Sequence, residues 1–304
     1  LETHIYKNSK GYYEITGSGD PDISIKHIRI FAEEIKSNRF LSYPSSSLIL
    51  YEEPQKLWWP ETWSIPDRKE DYGAPITRLA LNGNAEDLAM QNPLFRFKSF
   101  SSSILVNNNI NVDILTKSQQ SFNQRLNRKL LLNIPSAPLY MLINLANSES
   151  HNFSSEILLR NASNSWNNNI ATKKLSKWVE SIGVDKDQYN FADGSGLSRE
   201  NKTTTRALSH VLAFMDKHRY SNYYISSMSI IGKRGTLRNQ YDMNSSGITF
   251  HGKSGTLSDV RSLSGYLYTP SRKRIVSIIQ NNNILDHNIF SNILSVVSSE
   301  DNCS

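Results

Sequence analysis

The strongest constraint on the fold of this 304-residue chain comes from three strand-like runs and a helix pattern at its C-terminal end. The runs are GITFHGKSG, SLSGYLYTP and KRIVSIIQ, and turn-forming residues bound each of them. The second and third runs have the pattern of a hairpin, with PSRK as the turn. We therefore predict antiparallel strands within residues 245–282 and a helix near residues 287–299 that packs on them.

Four amphipathic helix patterns precede these strands. They are PLYMLINLANS, SSEILLRNA, TKKLSKWVESIG and TTTRALSHVLAFMDKHR. Further upstream, one helix pattern, ISIKHIRIFAEEIKSN, lies between short strand patterns, and residues 76–132 read as short strands with polar turns. Strands, then helices, then an antiparallel sheet are typical of an α+β fold rather than a wound parallel sheet.

An irregular aromatic segment, KLWWPETWSIPDRKEDYGAP, lies between the upstream strand patterns. Its tryptophans, Trp58, Trp59 and Trp63, have the chemistry to stack on carbohydrate. The interpretation we favour is a pinned loop whose rings seal the edge of a core.

Composition and charge exclude several classes of protein. Hydrophobic residues make up 38% of the chain, charged residues 20%, and the net charge is +6. Lys and Arg are scattered, which favours attraction to an anionic surface or substrate over nucleic-acid binding. The sequence contains no run of 18 apolar residues, so it predicts no transmembrane segment. Cys303, the single cysteine, excludes an internal disulfide framework.

The chain opens LETHIYKNSKG, without a methionine and without a signal-peptide pattern. We interpret this start as the product of processing or truncation.

The stretch HGKSGTLSD places Lys253, Ser254, Gly255 and Thr256 at the end of a strand pattern. A lysine beside a hydroxyl suits a carboxylate ligand, since it offers one charge and one directional donor. For an isolated Lys-Ser-Gly, an edge lysine followed by a turn is the favoured alternative.

Two further stretches carry candidate residues. In NSESHNFSSEILLR, Ser150 and Asn152 lie two apart at a junction between helix patterns, where they can face one cleft or simply cap a helix. In FADGSGLSREN, Asp193 and two glycines predict a tight loop that supports a site rather than entering it.

Together these motifs resemble one family. It is the D-alanyl-D-alanine carboxypeptidase/endopeptidase group of low-molecular-mass class C penicillin-binding proteins, which are serine peptidases with an inserted domain. Ser150-His151-Asn152 resembles the family's Ser-x-Asn motif, and Lys253-Ser254-Gly255 its Lys-Thr-Gly strand, 103 residues later. The stretches DGSGLSREN, GKRGTLRN and WWPETW…DYGAP are similar to further segments of this group, in the same order.

The resemblance implies a β-lactamase/DD-peptidase (transpeptidase-like) α+β catalytic domain with an inserted, mostly-β domain. Residues 1–132 would be the inserted domain with flanking strands, and residues 133–304 the C-terminal part of the catalytic domain. It also implies a periplasmic or other extracytoplasmic location in the cell envelope. Peptidoglycan stem peptides ending in D-Ala-D-Ala would be the substrates, with no metal and no cofactor.

The resemblance assigns roles to six residues. Ser150, Asn152 and Lys253 would be catalytic: Asn152 would hold the substrate peptide group, and Ser150 would relay protons beside the Lys253 cation. Ser254, Gly255 and Thr256 would bind the substrate, the two hydroxyls facing the terminal carboxylate. The Thr256 N–H would be one oxyanion-hole donor.

One departure from the family pattern is serious. Acyl transfer in this family uses a nucleophilic serine in Ser-x-x-Lys, and no lysine of these 304 residues has a serine three positions before it. We expect the motif to lie upstream of Leu1, so that this chain alone is inactive and β-lactams acylate only a form that contains the nucleophile. The alternative is a non-catalytic protein that keeps the cleft and uses it to hold peptidoglycan.

Overall fold

The computed structural model describes residues 1–38, 47–122, 127–240, 247–281 and 288–299. The chain divides into two compact units. Unit 1 comprises Leu1–Pro138 and Arg160–Asn168, and unit 2 comprises Leu139–Leu159 and Asn169–Ser304.

Unit 1 combines a mixed sheet with helices. Its elements are β1 (Glu2–Asn8), β2 (Tyr13–Gly17), α1 (Ile25–Ser37), β3 (Ser47–Glu52), α2 (Pro93–Asn107), β4 (Asp113–Ser118), α3 (Gln119–Phe122) and β5 (Arg128–Pro135). The strand order is β4-β3-β2-β1-β5. The pairs β1–β2 and β1–β5 are antiparallel, whereas β2–β3 and β3–β4 are parallel.

Apolar residues of the sheet and of two helices form the core of unit 1. Ile28, Phe31 and Ile35 recur at helical spacing on α1 and are at most 2% exposed, as the sequence pattern predicts. They share one cluster with Leu48 and Leu50 of β3. The helices therefore bury their apolar faces together with the sheet strands.

The prediction of short strands throughout residues 76–132 was wrong, because Pro93–Asn107 forms the 15-residue helix α2. Asn92 caps this helix by accepting a hydrogen bond from the Phe95 N–H, and Pro93 occupies its first turn. Phe97, Ser101 and Leu105 lie four residues apart and are buried. The serine-rich middle of the segment weakens the helical signal, since serine is a poor helix former.

The aromatic segment of unit 1 is a pinned loop, which is the interpretation that its sequence favoured. Trp58 and Trp63 are 5% and 2% exposed. The Trp58 indole N–H donates to Glu53 O, and the Trp59 indole N–H donates to Gly73 O. Both Trp58 and Trp63 are therefore buried too deeply to stack on a carbohydrate.

Unit 2 carries helices followed by an antiparallel sheet. Its elements are α4 (Leu139–Asn147), α5 (Asn152–Ala162), α6 (Asn168–Ser181), β6 (Tyr189–Asn190), β7 (Lys202–Thr203), α7 (Thr205–Asp216), α8 (Ser221–Ser226), β8 (Ser229–Ile230), β9 (Thr249–Thr256), β10 (Val260–Tyr268), β11 (Lys273–Asn281) and α9 (Ile289–Ser299). The first residue of α6 and the last three of α5 are counted with unit 1.

The sheet of unit 2 has the order β11-β10-β9-β8, and its pairs are antiparallel. The hairpin is confirmed, with Tyr268 opposite Lys273 across the turn. Phe290 and Leu294 of α9 pack with apolar residues of β9, β10 and β11. The predicted strands and terminal helix are thus confirmed for the described residues. Residues 245, 246, 282 and 287 of that prediction lie outside them.

The α+β class predicted from the sequence is confirmed by these elements. Within the described ranges, no helix combines the length and the apolar character that crossing a bilayer requires.

Candidate functional site

Ser150 lies in the short junction between α4 and α5, and its backbone is unusual. Its φ of +59° is in the left-handed region, which serine rarely adopts. Hydrogen bonds on either side hold the junction: Ser148 N–H donates to Asn144 O, and His151 N–H donates to Leu145 O. A non-glycine residue held in this conformation costs about 1 kcal/mol or more, and such residues cluster at functional sites.

Lys253 of β9 joins the strand to this junction. Its Nζ donates to Ser150 Oγ at 2.6 Å and to Ser254 O at 2.6 Å. The family resemblance implied that Ser150 lies beside the Lys253 cation although the two residues are 103 positions apart, and the structure joins them by a direct hydrogen bond. A cation and a hydroxyl therefore meet at one point in unit 2.

Burial lowers the pKa of Lys253 from its ordinary 10.5 to about 8. The cause is desolvation of the ammonium, which disfavours the charged form. Among the described residues, no carboxylate lies close enough to form an ion pair with Lys253 that would offset this effect. The ammonium is therefore charged at neutral pH and is available to an anionic ligand.

A chain of hydroxyls connects Ser254 to the Ser150 junction. Ser254 Oγ hydrogen-bonds Thr236 Oγ1 at 2.9 Å, and Thr236 Oγ1 hydrogen-bonds Ser229 Oγ at 3.2 Å. Ser229 Oγ donates to Ser148 O at 2.9 Å, and Thr236 N–H donates to the same oxygen at 3.0 Å. The segment around Thr236 thus ties the Lys253 strand to the α4–α5 junction.

Thr236 was not predicted as a site residue, although the GKRGTLRN stretch that contains it resembles a segment of the family. The available signal was the glycine before Thr236, because glycine permits close approach of neighbouring chains. Gly235 has a φ of +67°, and a Cβ there would lie 2.5 Å from both Ser148 O and Ser229 Oγ.

Replacing Gly235 with alanine should destabilise unit 2 by about 3 kcal/mol, the sum of left-handed strain and overpacking. The matched control is Gly196→Ala. Gly196 has a φ of +86°, but a Cβ there would meet no atom within 4 Å. The control should therefore cost only about 1 kcal/mol of strain. Urea unfolding of both variants checks the difference, and equal losses would contradict the close packing of Gly235 on the Ser148 junction.

The other predicted site residues are Asn152, Gly255 and Thr256, and each is within three positions of Ser150 or Lys253 in the sequence. Asn152 is the first residue of α5. Gly255 and Thr256 complete β9 opposite Ser262 and Arg261 of β10, and Thr256 is exposed. Ser254 takes part directly, through its carbonyl to Lys253 and its hydroxyl to Thr236.

The loop around Asp193 supports its surroundings through backbone hydrogen bonds. Asp193 is 3% exposed and accepts from the N–H groups of Gly196 and Ser198. Glu156 of α5 accepts from the N–H groups of Gly194 and Ser195 at 2.8 and 2.9 Å. Asp193 therefore fixes the shape of the loop, and Glu156 holds the loop on α5, the helix that follows the Ser150 junction.

The chemistry of the site is that of an anion receptor. Across the described ranges, no three His, Cys, Asp or Glu side chains come together in a way that would hold a metal ion. The groups that do meet are an ammonium, three serine hydroxyls and a threonine hydroxyl, which provide one positive charge and several hydrogen-bond donors. This set suits a carboxylate, which accepts from both.

Comparison with known families gives one clear match. The family model described as D-Ala-D-Ala carboxypeptidase 3 (S13) matches residues 80–298 of this chain. A D-alanyl-D-alanine carboxypeptidase from Actinomadura sp. (strain R39) is 30% identical over 108 residues. Those residues are 34% of this chain and 20% of that relative, so the match spans about a fifth of the relative's length.

Solved structures match the fold of the whole chain. Penicillin binding protein 4 from Haemophilus influenzae has a TM-score of 0.78 and 16% identity, covering 99% of this chain and 85% of that chain. A predatory endopeptidase from Bdellovibrio bacteriovorus has a TM-score of 0.60 and 16% identity, covering 99% and 80%. At such identities the likeness concerns the fold.

Proposed function

The chain belongs to the D-Ala-D-Ala carboxypeptidase 3 (S13) family, as its motifs predicted, and from this premise we propose that Lys253 and Ser254 bind the terminal carboxylate of peptidoglycan stem peptides. The observation that carries the proposal is the Lys253–Ser150 hydrogen bond, which brings the only strongly desolvated lysine found among the described residues to a serine of the Ser-x-Asn motif. The reaction served is that of a serine-type D-Ala-D-Ala carboxypeptidase or endopeptidase.

In this proposal each residue has one role. Lys253 supplies the charge that neutralises the carboxylate, and Ser254 and Thr256 donate hydroxyl hydrogen bonds to it. Ser150 relays a proton beside Lys253, and Asn152 holds the peptide group of the substrate. Gly255 keeps the end of β9 open to the ligand, and Thr236 orients the Ser254 hydroxyl.

Acyl transfer also requires a serine nucleophile, and these 304 residues contain no Ser-x-x-Lys. We propose that a form of the polypeptide with that motif forms the acyl-enzyme and is acylated by β-lactams. The second candidate function is non-catalytic binding of peptidoglycan through the same cleft, since the Lys253–Ser150 contact that would hold the ligand requires no nucleophile.

We assign residues 1–132 to the inserted domain with its flanking strands, and residues 133–304 to the C-terminal part of the catalytic domain. We also propose a periplasmic or other extracytoplasmic location in the cell envelope, since the proposed substrate is there. Immunogold labelling or fractionation of cells checks the location, and recovery in the cytoplasmic fraction alone would contradict it.

Calorimetry with a stem peptide ending in D-Ala-D-Ala tests the binding function directly. The free-acid peptide should bind, and the same peptide with a C-terminal amide should bind about tenfold or more weakly, because it lacks the charge that Lys253 neutralises. Equal affinity for the acid and the amide would show that the terminal carboxylate does not contribute to binding, which would contradict the proposal.

The affinity for the free-acid peptide should also fall as the pH rises above about 8. Below that pH, the free protein already carries the Lys253 ammonium, so affinity is constant. Above it, binding must first restore the proton, and the bound carboxylate raises the pKa of Lys253 in the complex. A Lys253→Arg control keeps its charge, so any affinity that it retains should not fall up to about pH 10. A flat profile for the native chain would contradict this assignment.

A further inference from the structure

Five aromatic rings follow one another across the surface of unit 2, on α6, α7, α8 and the connection between the last two. Consecutive ring centroids are 6.0, 6.1, 5.6 and 6.4 Å apart. We name this series the aromatic row; in order it comprises Trp178, Phe214, His218, Tyr220 and Tyr223.

The aromatic row faces solvent rather than a core. Tyr223 and Tyr220 are 60% and 51% exposed, and Trp178 and Phe214 are 41% and 37% exposed. Single exposed rings are ordinary on protein surfaces, but four large exposed rings that are linked through the half-buried His218 mark an interaction surface.

Three cations neighbour the row in sequence, since Lys177, Lys217 and Arg219 directly precede Trp178, His218 and Tyr220. Lys177, Lys217 and Arg219 are exposed, and the Arg219 guanidinium lies 4.7 Å from the centre of the Tyr220 ring. The acidic residues of α6, α7 and α8 are Glu180 and Asp216, which form ion pairs with Lys186 and Lys273. The surface around the row is therefore both apolar and positively charged.

We propose that the aromatic row and its three cations dock unit 2 onto the surface of an anionic lipid bilayer. Trp and Tyr rings partition to the boundary between headgroups and acyl chains, where the apolar body and the polar tip are both satisfied. Lys and Arg beside them are attracted to anionic headgroups. This mode of attachment needs no membrane-spanning helix, and it does not rest on the proposed function.

Two other occupants fit the surface less well. Neighbouring rings of the row are turned by 35–83° from each other, so they provide no flat platform on which a polysaccharide would stack. A second copy of the chain, related by a two-fold axis, would bring the cations of both copies together across the contact. A bilayer interface accepts rings at any tilt and supplies the opposite charge.

Flotation with vesicles tests this docking, on the 304-residue chain and on a longer form that contains Ser-x-x-Lys. Both should bind, and loss of binding in the longer form would show that the row is covered within the catalytic domain and would overturn lipid docking. Vesicles of phosphatidylglycerol and phosphatidylcholine should carry the chain, whereas vesicles of phosphatidylcholine alone should not. The triple variant Lys177→Gln, Lys217→Gln, Arg219→Gln should bind the anionic vesicles about tenfold or more weakly. The control triple Lys56→Gln, Lys98→Gln, Lys129→Gln removes the same charge from exposed positions of unit 1 and should change binding less than about threefold.

Tryptophan fluorescence provides a second readout of the same proposal. All five tryptophans lie in the described part of the chain, and Trp178 alone is exposed. Brominated lipids should quench the tryptophan fluorescence of the vesicle-bound chain, and the Trp178→Phe variant should lose this quenching. Lipid docking would be overturned by equal losses of binding in both triple variants, or by the absence of Trp178 quenching. It would also be overturned if soluble polyphosphate bound with the same dependence on Trp178, or if the chain formed a dimer that the first triple variant dissociated.

Discussion

Incubation with penicillin should leave the mass of this chain unchanged, because acylation by a β-lactam requires a serine that is both activated and aimed at an oxyanion hole, and these 304 residues contain no Ser-x-x-Lys to supply it. Among the described residues, Ser150 comes closest to meeting these requirements, since Lys253 contacts it. With a pKa of about 8, Lys253 is about tenfold more often charged than neutral at pH 7, and an ammonium that donates to Ser150 cannot accept its proton. Intact-protein mass spectrometry checks the result.

The matched comparison is a longer form of the polypeptide that includes a Ser-x-x-Lys motif. That form should gain one penicillin per chain, and its Ser-x-x-Lys serine→Ala variant should gain none. A stoichiometric adduct on the 304-residue chain would show that the nucleophile lies within it. No adduct on the longer form would favour the non-catalytic binding function.

Replacing Lys253 with methionine should weaken binding of a D-Ala-D-Ala free-acid peptide about 10- to 100-fold. Methionine keeps the length of the side chain and removes its charge, and a hydrogen bond to a charged group contributes about 1.5–3 kcal/mol. The control variant is Lys233→Met, which removes an exposed charge from the neighbouring segment and should change the dissociation constant less than about threefold. Equal losses in the two variants would indicate a general effect of charge.

Most of unit 2 could be predicted from local patterns, whereas the short helix α8 and the two-residue strands β6, β7 and β8 were not predicted. The hairpin of β10 and β11 is bounded by a four-residue turn, and the apolar positions of α4, α5 and α7 repeat at helical spacing. Each of these signals depends on neighbours in sequence, so a single sequence contains it.

The helix α2 could not be predicted from its pattern, because its serine-rich middle has the propensity of a turn while Phe97 and Leu105 pack against the rest of unit 1. Tertiary contacts outweigh propensity in such segments.

In the candidate site, too, some features could be predicted from the sequence and others arise only from packing. The motif order identified Ser150, Lys253 and Ser254, whereas the link through Thr236 depends on side chains from three separate segments. The left-handed backbone of Ser150 and the lowered pKa of Lys253 arise from packing, which no local pattern encodes.

A double-mutant cycle tests most directly whether Lys253 contacts the substrate carboxylate. Native chain and the Lys253→Met variant are each titrated calorimetrically with the D-Ala-D-Ala free acid and with its C-terminal amide. Because Lys253 and the carboxylate are proposed to touch, the two changes should not add, and the amide should bind both proteins with similar affinity. A coupling energy of about 1.5 kcal/mol or more is the predicted result. Additive losses, with Lys253→Met still preferring the acid as strongly as the native chain does, would contradict the account.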